Sequence, residues 1–442
     1  MKRWTALAGL AMLGASVTAS AAVSDAEFQQ LQQKLDRALS RIDQLEEQQA
    51  VVGTVQQAEI NATAGADVTI ADQVAANKAK LEKMSWADRI SIKGDFRYRY
   101  QYDDIGNPVD DTRNRNRIRV RPEITASLQP DLIVGVGLAS GSDDPVSTNQ
   151  TLGNGDSSKD IKLDLAYFTW TGVQDTAITG GKFKNPLVTV GGSQLQWDGD
   201  WRPEGADISW GNGTFFASAL GNYLESDSNA ANGTTFASLL QAGANFGLGP
   251  VAMTGGVGYT NISTEGKPCF YNTSSGFASG VPLTAAFCGG NQATGASPTQ
   301  LYANDFGVYN VFAQGAFTIA DLPVAIHADY INNSDADDYE QGYQVGVTVG
   351  GLKAEGDWQL GYYYEDLESN ATLALLTNSD FAGGGTNAAG SVITGGYALS
   401  DKTNIQLAYY IVDKNTDKLA DVNNGDKYSF DTLQADLNFK FK

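Results

Sequence analysis

Five arginines, Arg113, Arg115, Arg117, Arg119 and Arg121, occupy every second position of one short run, and Arg97 and Arg99 precede them at the same spacing. In an extended chain, side chains two apart share a face, so these guanidiniums form a charged wall wherever the run is a strand. Eight of the twelve arginines in the chain fall within 89–121, a concentration that solvation alone does not require. The intervening Ile118 and Val120 point the other way. On a lipid face each arginine would cost about 2–4 kcal/mol at mid-depth, so the wall must face water. There it would attract anions and polarise the lumen, or pair with Asp95, Glu123 and Asp164 in an internal ladder.

A second group lies in 185–204, where Asn185-Pro186 and Gly191-Gly192-Ser193 lead into Trp197, Asp198, Gly199, Asp200, Trp201, Arg202, Pro203 and Glu204. Rigid tryptophan and proline beside closely spaced carboxylates suit a segment packed on something. We expect this connection to fold inward as a constriction built from Trp197, Asp198, Asp200, Trp201 and Arg202, with both aspartates across the lumen from the arginines. The competing expectation is an ordered surface loop. Cys269 and Cys288 are the only cysteines and share one Gly/Ser/Asn-rich stretch. In an exported protein they read as a disulfide closing a loop of about 20 residues, worth roughly 3 kcal/mol in the chain-entropy model.

Catalytic chemistry has little to build on. The single histidine, His327, shares a face with Asp329, but no serine occurs in that run before Ser334, so the nucleophile of a hydrolase is missing. No phosphate-binding glycine loop and no metal-ligand cluster stands out, and no cofactor is implied. Asp335, Asp337 and Asp338 could hold surface calcium weakly, but a solvated loop is the default reading. We therefore expect no catalytic residues and no metal site.

The elements that would position these groups differ along the chain. Residues 1–22 read as a signal peptide, with Lys2 and Arg3 ahead of an apolar run and small residues at 19–22. In 23–50, Ser24 and Glu27 fit a capping box, and Phe28, Leu31, Leu35, Ala38, Ile42 and Leu45 recur at spacings of three and four. That seam predicts a periplasmic coiled coil, followed at 51–85 by a partly helical spacer. From 86 to 442 the period becomes two, the signature of strands. Sixteen runs begin near Arg89, Arg115, Asp131, Ile161, Asp175, Pro203, Thr214, Thr234, Pro250, Asn304, Leu322, Tyr339, Leu352, Gly390, Lys402 and Lys427.

Tight turns such as Gly211-Asn212-Gly213 and Gly350-Gly351 alternate with long connections at 141–160, 263–303 and 369–389. Short inner turns alternating with long outer loops predict an all-β fold, a transmembrane antiparallel β-barrel of about 16 strands in the outer membrane, with lipid against one face. Closure leaves no unpaired strand edge in hydrocarbon. The formal charge of −21 argues against nucleic acid as a partner. The segment ahead of the barrel is too small and polar for the plug of a gated receptor.

Several stretches carry a resemblance: Trp86–Arg89 (WADR), 113–117 (RNRNR), 138–152 (LASGSDDPVSTNQTL), 158–170 (SKDIKLDLAYFTW), 180–186 and 197–200. Over roughly 86–205 the chain resembles an outer-membrane porin family of Gram-negative bacteria, and beyond that the strand pattern carries the reading. The resemblance implies a general-porin-like channel and a homotrimer. The expected function is passive diffusion of small hydrophilic solutes and ions through a water-filled barrel. The alternative is a structural protein that tethers the outer membrane through the coiled coil.

Overall fold

The computed structural model describes residues 86–106, 112–226, 234–269, 288–295, 300–417 and 426–442. The expected signal peptide, the coiled-coil seam and the spacer lie outside these residues. The barrel belongs to the compact unit Ser85–Lys442.

A 3-10 turn at Trp86–Arg89 leads into sixteen long strands among the described residues. They are β1 (Ile90–Ile105), β2 (Arg113–Gln129), β3 (Leu132–Ser140), β4 (Ile161–Trp170), β5 (Thr176–Lys182), β6 (Glu204–Gly211), β7 (Phe215–Glu225) and β8 (Thr235–Leu248). Then follow β9 (Val251–Ile262), β10 (Phe306–Ile319), β11 (Leu322–Asn333), β12 (Gln341–Gly350), β13 (Trp358–Leu367), β14 (Ala388–Ala398), β15 (Thr403–Lys414) and β16 (Tyr428–Phe441). Each pairs antiparallel with its neighbours in sequence, and β1 pairs with β16 from Gly94↔Phe441 to Ile105↔Phe430. The sheet is therefore a closed barrel.

Alternation sets the faces. Outward residues are apolar or aromatic, as with Val136, Leu360, Tyr362, Ile405, Leu407 and Phe439, all exposed on the barrel exterior. Connections at one end have two to seven residues and those at the other seven or more. We name the long ones L1 to L8 in chain order, so that L2 spans 141–160, L3 183–203, L5 263–305 and L7 368–387.

Two expectations change. The thirteenth strand starts at Trp358, not near Leu352, because 351–357 is a turn. The Asp357 carboxylate closes it by accepting the Lys353 and Ala354 N–H groups, each within 2.9 Å. Alternation within the turn imitates a strand without having ladder partners.

The lumen is also not uniformly wet. Inward residues Leu220 (β7), Leu239 (β8), Ile262 (β9), Val308 (β10), Ile331 (β11) and Leu367 (β13) are buried near the long-loop end, in one apolar cluster with side chains of L3 and L7. The opposite wall, β16–β1–β2, stays polar. Loops that fold inward bring apolar side chains with them, and these need apolar neighbours.

Closure depends on one close approach. A Cβ on Gly94 would sit 2.5 Å from the Arg121 carbonyl oxygen and 2.5 Å from the Phe441 ring, which covers this glycine on the outer face. Gly94→Val should displace Phe441 and weaken the β1–β16 seam by roughly 1–3 kcal/mol, the usual cost of overpacking. A lower urea midpoint for the loss of the folded barrel's faster gel mobility checks this; an unchanged midpoint would refute it.

Candidate functional site

β1, β2 and β16 put the polar wall together by register. Arg97 lies opposite Arg119 and Arg99 opposite Arg117 across β1–β2, while Asp436 lies opposite Arg99 across β1–β16. Cross-strand neighbours sit close enough to interact, and like charges there repel. Carboxylates at contact distance offset that repulsion. Asp95 accepts from Arg119 Nε (3.0 Å) and Arg121 Nε (2.9 Å), and Asp103 from Arg115 Nη2 (2.7 Å). Asp436 accepts two hydrogen bonds from Arg99, at 2.7 and 2.8 Å, and lies 3.5 Å from Arg97. Arg97 also donates to Asn149 Oδ1 of L2 at 2.6 Å, and Arg117 to Gln101 Oε1 at 3.0 Å. Arg113 completes the ladder toward the long-loop end.

L3 crosses the lumen and is pinned along its length. The Val188 N–H donates to Gln241 on β8, the Gly191 N–H to Gln314 on β10, Gln196 to Thr260 on β9, and Ser193 Oγ to Asp329 on β11, all within 3.2 Å. Trp197 and Trp201 stack with ring centroids 4.5 Å apart and are buried in the apolar cluster. Arg202 braces the return of the loop, donating through Nε to Asp164 of β4 at 3.2 Å and through Nη1 to two L3 carbonyls.

Asp200 touches the wall instead of facing it across a gap: its carboxylate accepts from Arg121 Nη1 at 2.6 Å, lies 3.8 Å from Arg119, and also accepts the Thr148 hydroxyl at 2.8 Å. Burial alone would raise its pKa, but the guanidiniums of Arg121, Arg119 and Arg202 hold it below the usual carboxylate value. Asp198 turns away from the arginines. Its Oδ2 accepts the Ser379 N–H at 2.8 Å, and its own N–H donates to the Leu376 carbonyl at 2.7 Å. The two aspartates thus fasten L3 on opposite sides, one to the wall and one to L7.

L7 is the element that sequence reading did not assign to the site. Ala371, Leu373, Leu375, Leu376 and Phe381 are all buried, and Asp380 accepts from Arg99 Nη1 at 2.8 Å. Burial opposes ionisation of Asp380, but Arg99 holds its carboxyl well below the usual range. A signal was available: an apolar run at 371–376 does not belong in a loop bathed by water.

Two cavities border the wall at opposite ends. One of about 740 Å³ touches Lys93, Asp95, Arg121, Asp198 and Arg202 toward the short-turn end. Another of about 470 Å³ touches Arg113, Arg115, Arg117, Asp380 and Lys414 toward the long-loop end. Between them, L3 meets the ladder at Arg119 and L7 meets it at Arg99.

A family described as "Putative porin" matches residues 102–224 and 307–441, more than half of the chain, including the whole of β2 with its five arginines. The chain belongs to this porin family. It is an outer-membrane channel protein, not an enzyme. OprB of Pseudomonas putida at high pH shares the fold, superposing with a TM-score of 0.52 at 11% identity and covering 84% of this chain and 97% of that one. OmpF of Salmonella typhi, in complex with daunomycin, gives 0.46 at 11% identity, covering 80% and 97%. A mutant of the Rh. blastica porin gives 0.43 at 12% identity, covering 80% and 100%. No curated protein matches the chain.

In this porin His327 is a support for L3. Its Nε2 lies 3.0 Å from Gln344 Oε1, and its ring packs on Gly191, where φ is +60° and any Cβ would collide with the imidazole. Among the described residues no group of His, Cys, Asp or Glu is arranged to hold a metal.

Cys269 and Cys288 form a disulfide. Residues just after Cys288 hold L7 in place: Asn291 donates to the Ser369 and Thr372 carbonyls at 2.6 and 2.7 Å, and the Gly289 carbonyl accepts the Thr386 N–H at 2.9 Å. Removing the bond in a Cys269→Ser/Cys288→Ser porin should speed amide exchange across L7 while leaving the strands of the barrel protected. Unchanged exchange in L7 would show that the bond does not stabilise it.

Asp198 supplies a pH effect. Burial, with the neighbouring Asp200 charge, pushes its pKa up to about 7. The carboxyl is charged above that pH and neutral below it, so acidification from pH 8 to 6 removes one negative charge from the L3–L7 contact and should shift permeability toward anions. Reversal potentials across a KCl gradient should show this step, and Asp198→Asn should abolish it. A step that survives the substitution would assign it elsewhere.

Proposed function

We propose that this protein passes small hydrophilic solutes and ions by diffusion along the arginine wall, between the cavities at its two ends. One observation carries the reading: the cavities at both ends border the same ladder, while the opposite side of the lumen near the long-loop end is packed with apolar side chains. Solutes entering from either end therefore meet guanidiniums. In a narrow passage with low-dielectric walls, such charges act over longer range than in open water. The residual field of the ladder favours anions and orients dipolar solutes.

In this reading the long loops face the cell exterior and the short turns the periplasm, which places the segment ahead of β1 on the periplasmic side. That segment would form the coiled coil and, with barrel contacts in the membrane, hold a homotrimer. Outer-membrane lipid covers the aromatic and aliphatic exterior.

The test is Asp200→Asn in planar bilayers. Loss of the carboxylate shared by Arg121 and Arg119 should raise the chloride-to-potassium permeability ratio by about twofold or more and loosen L3, because breaking a buried ion pair leaves uncompensated charge. Unchanged selectivity and conductance would mean that solutes do not pass this wall.

A further inference from the structure

Arg97 is held on the wall with little to cancel its charge. Its neighbour Arg99 donates to Asp436 at 2.7 and 2.8 Å and to a second carboxylate, Asp380, at 2.8 Å. Arg97 meets only the edge of Asp436, at 3.5 Å, and its Nε is buried without a partner. Its short bond goes to a neutral acceptor instead: Nη2 donates to Asn149 Oδ1 of L2 at 2.6 Å. A guanidinium only donates, so the amide turns its oxygen to Arg97. The amide nitrogen donates to Ser147 Oγ at 3.3 Å. Asn149 thus satisfies the hydrogen bond and leaves the charge in place.

Asn149 reaches the wall because L2 also folds inward. Gly141, at φ +133°, turns the chain after β3, and a Cβ there would sit 2.9 Å from the Thr148 backbone. Ser140 Oγ accepts the Val120 N–H and donates to the Thr148 carbonyl, both at 2.9 Å. Thr148 gives its N–H and its hydroxyl to Asp200 of L3, at 3.1 and 2.8 Å. On the other side, Gln150 and Thr151 pair with Ile118 and Arg117 of β2, and the Leu152 N–H donates to the Asn116 carbonyl at 2.8 Å. Asn149 is therefore fixed between two anchored neighbours.

The contact falls where the loops converge. L3 meets the ladder at Arg119 and Arg121, and L7 meets it at Arg99. Arg97 lies opposite Arg119 across β1–β2 and two residues from Arg99 on β1. L2 thus touches the wall between the other two loops, on the stretch of ladder that separates the two cavities. In a confined site of low dielectric, a charge without a full counter-charge acts on passing ions at longer range than in open water.

We infer that Asn149 is a specificity-determining residue of this channel: as a neutral acceptor for Arg97 it keeps a positive charge where L2, L3 and L7 converge, and so sets a preference for small anions. A carboxylate in its place would cancel that charge. This rests on the channel reading above and assigns its selectivity to a loop other than L3 and L7.

Reversal potentials of the full-length protein in planar bilayers, across a KCl gradient, test both. Asn149→Asp should lower the chloride-to-potassium permeability ratio at least twofold. Asn149→Leu loses the hydrogen bond but adds no charge, so it should change conductance and leave the ratio close to that of the unaltered protein. Asn149→Cys, modified by thiosulfonate reagents after the channel has assembled, should follow the sign of the group attached: a sulfonate lowers the ratio and an ammonium raises it.

Absence of any KCl conductance in the unaltered protein would overturn the channel reading and this inference with it. Normal conductance with a ratio unmoved by Asn149→Asp, or moved as far by Asn149→Leu, would overturn the inference alone. The cysteine is modified in a channel that already conducts, so an aspartate variant that fails to assemble does not decide the result; a ratio unmoved by both attached groups would then count against the inference.

Discussion

Seven guanidiniums held on two adjacent strands of one barrel repel each other, and the rest of the lumen is arranged around that repulsion. A charge inside a membrane barrel has limited water to screen it. The carboxylates that offset it come from four places: Asp95 and Asp103 on β1, Asp436 on β16, Asp200 on L3 and Asp380 on L7. Only the first two are close in sequence to the arginines they meet. The inward fold of both loops is therefore coupled to the electrostatics of the wall: each loop delivers one aspartate, and each aspartate anchors its loop. Asp198 completes the arrangement by joining L3 to L7 through the Ser379 and Leu376 backbone.

The second half of that arrangement is hydrophobic. Trp197, Trp201, Leu195, Leu373 and Leu376 pack against inward residues of β7 to β13. Burial of such side chains is worth about 1.5–3 kcal/mol each relative to exposure, so L3 and L7 hold their positions even where no ion pair reaches them. The barrel interior is consequently two-sided, with an apolar core on one flank and a charged wall on the other. Low polarisability on the apolar flank strengthens the field at the charged flank. The polar lining and its field share one side of the lumen.

The period of two carried most of the barrel into view. Phase alone put Arg97, Arg99 and all five arginines of β2 on one face and Ile118 and Val120 on the other, because strand geometry is local and repeats. The turn at 351–357 escaped detection since its alternation continues through residues that have no ladder partners. Asp380 and Asp436 could not be recognised as partners of Arg99, which lies 281 and 337 residues away; that contact exists only after sixteen registers are fixed. For L3, the tryptophans and aspartates signalled an inward fold but not which aspartate would touch the arginines. Direct contact prevailed over a gap because unscreened guanidiniums draw the nearest carboxylate to hydrogen-bond range.

The bond between Arg99 and Asp436 has a consequence for assembly. Its partners belong to the first and last strands, so it cannot form until the final strand has been zipped against the first. Contacts this distant along the chain form late, because the loop-closure entropy must be met first. Until then the ladder lacks one of its counter-charges, and the repulsion between Arg97 and Arg99 is not offset by Asp436. Completion of the last strand removes that repulsion in the same step that closes the barrel. Engagement of this ion pair thus requires that the last strand meet the first in its correct register.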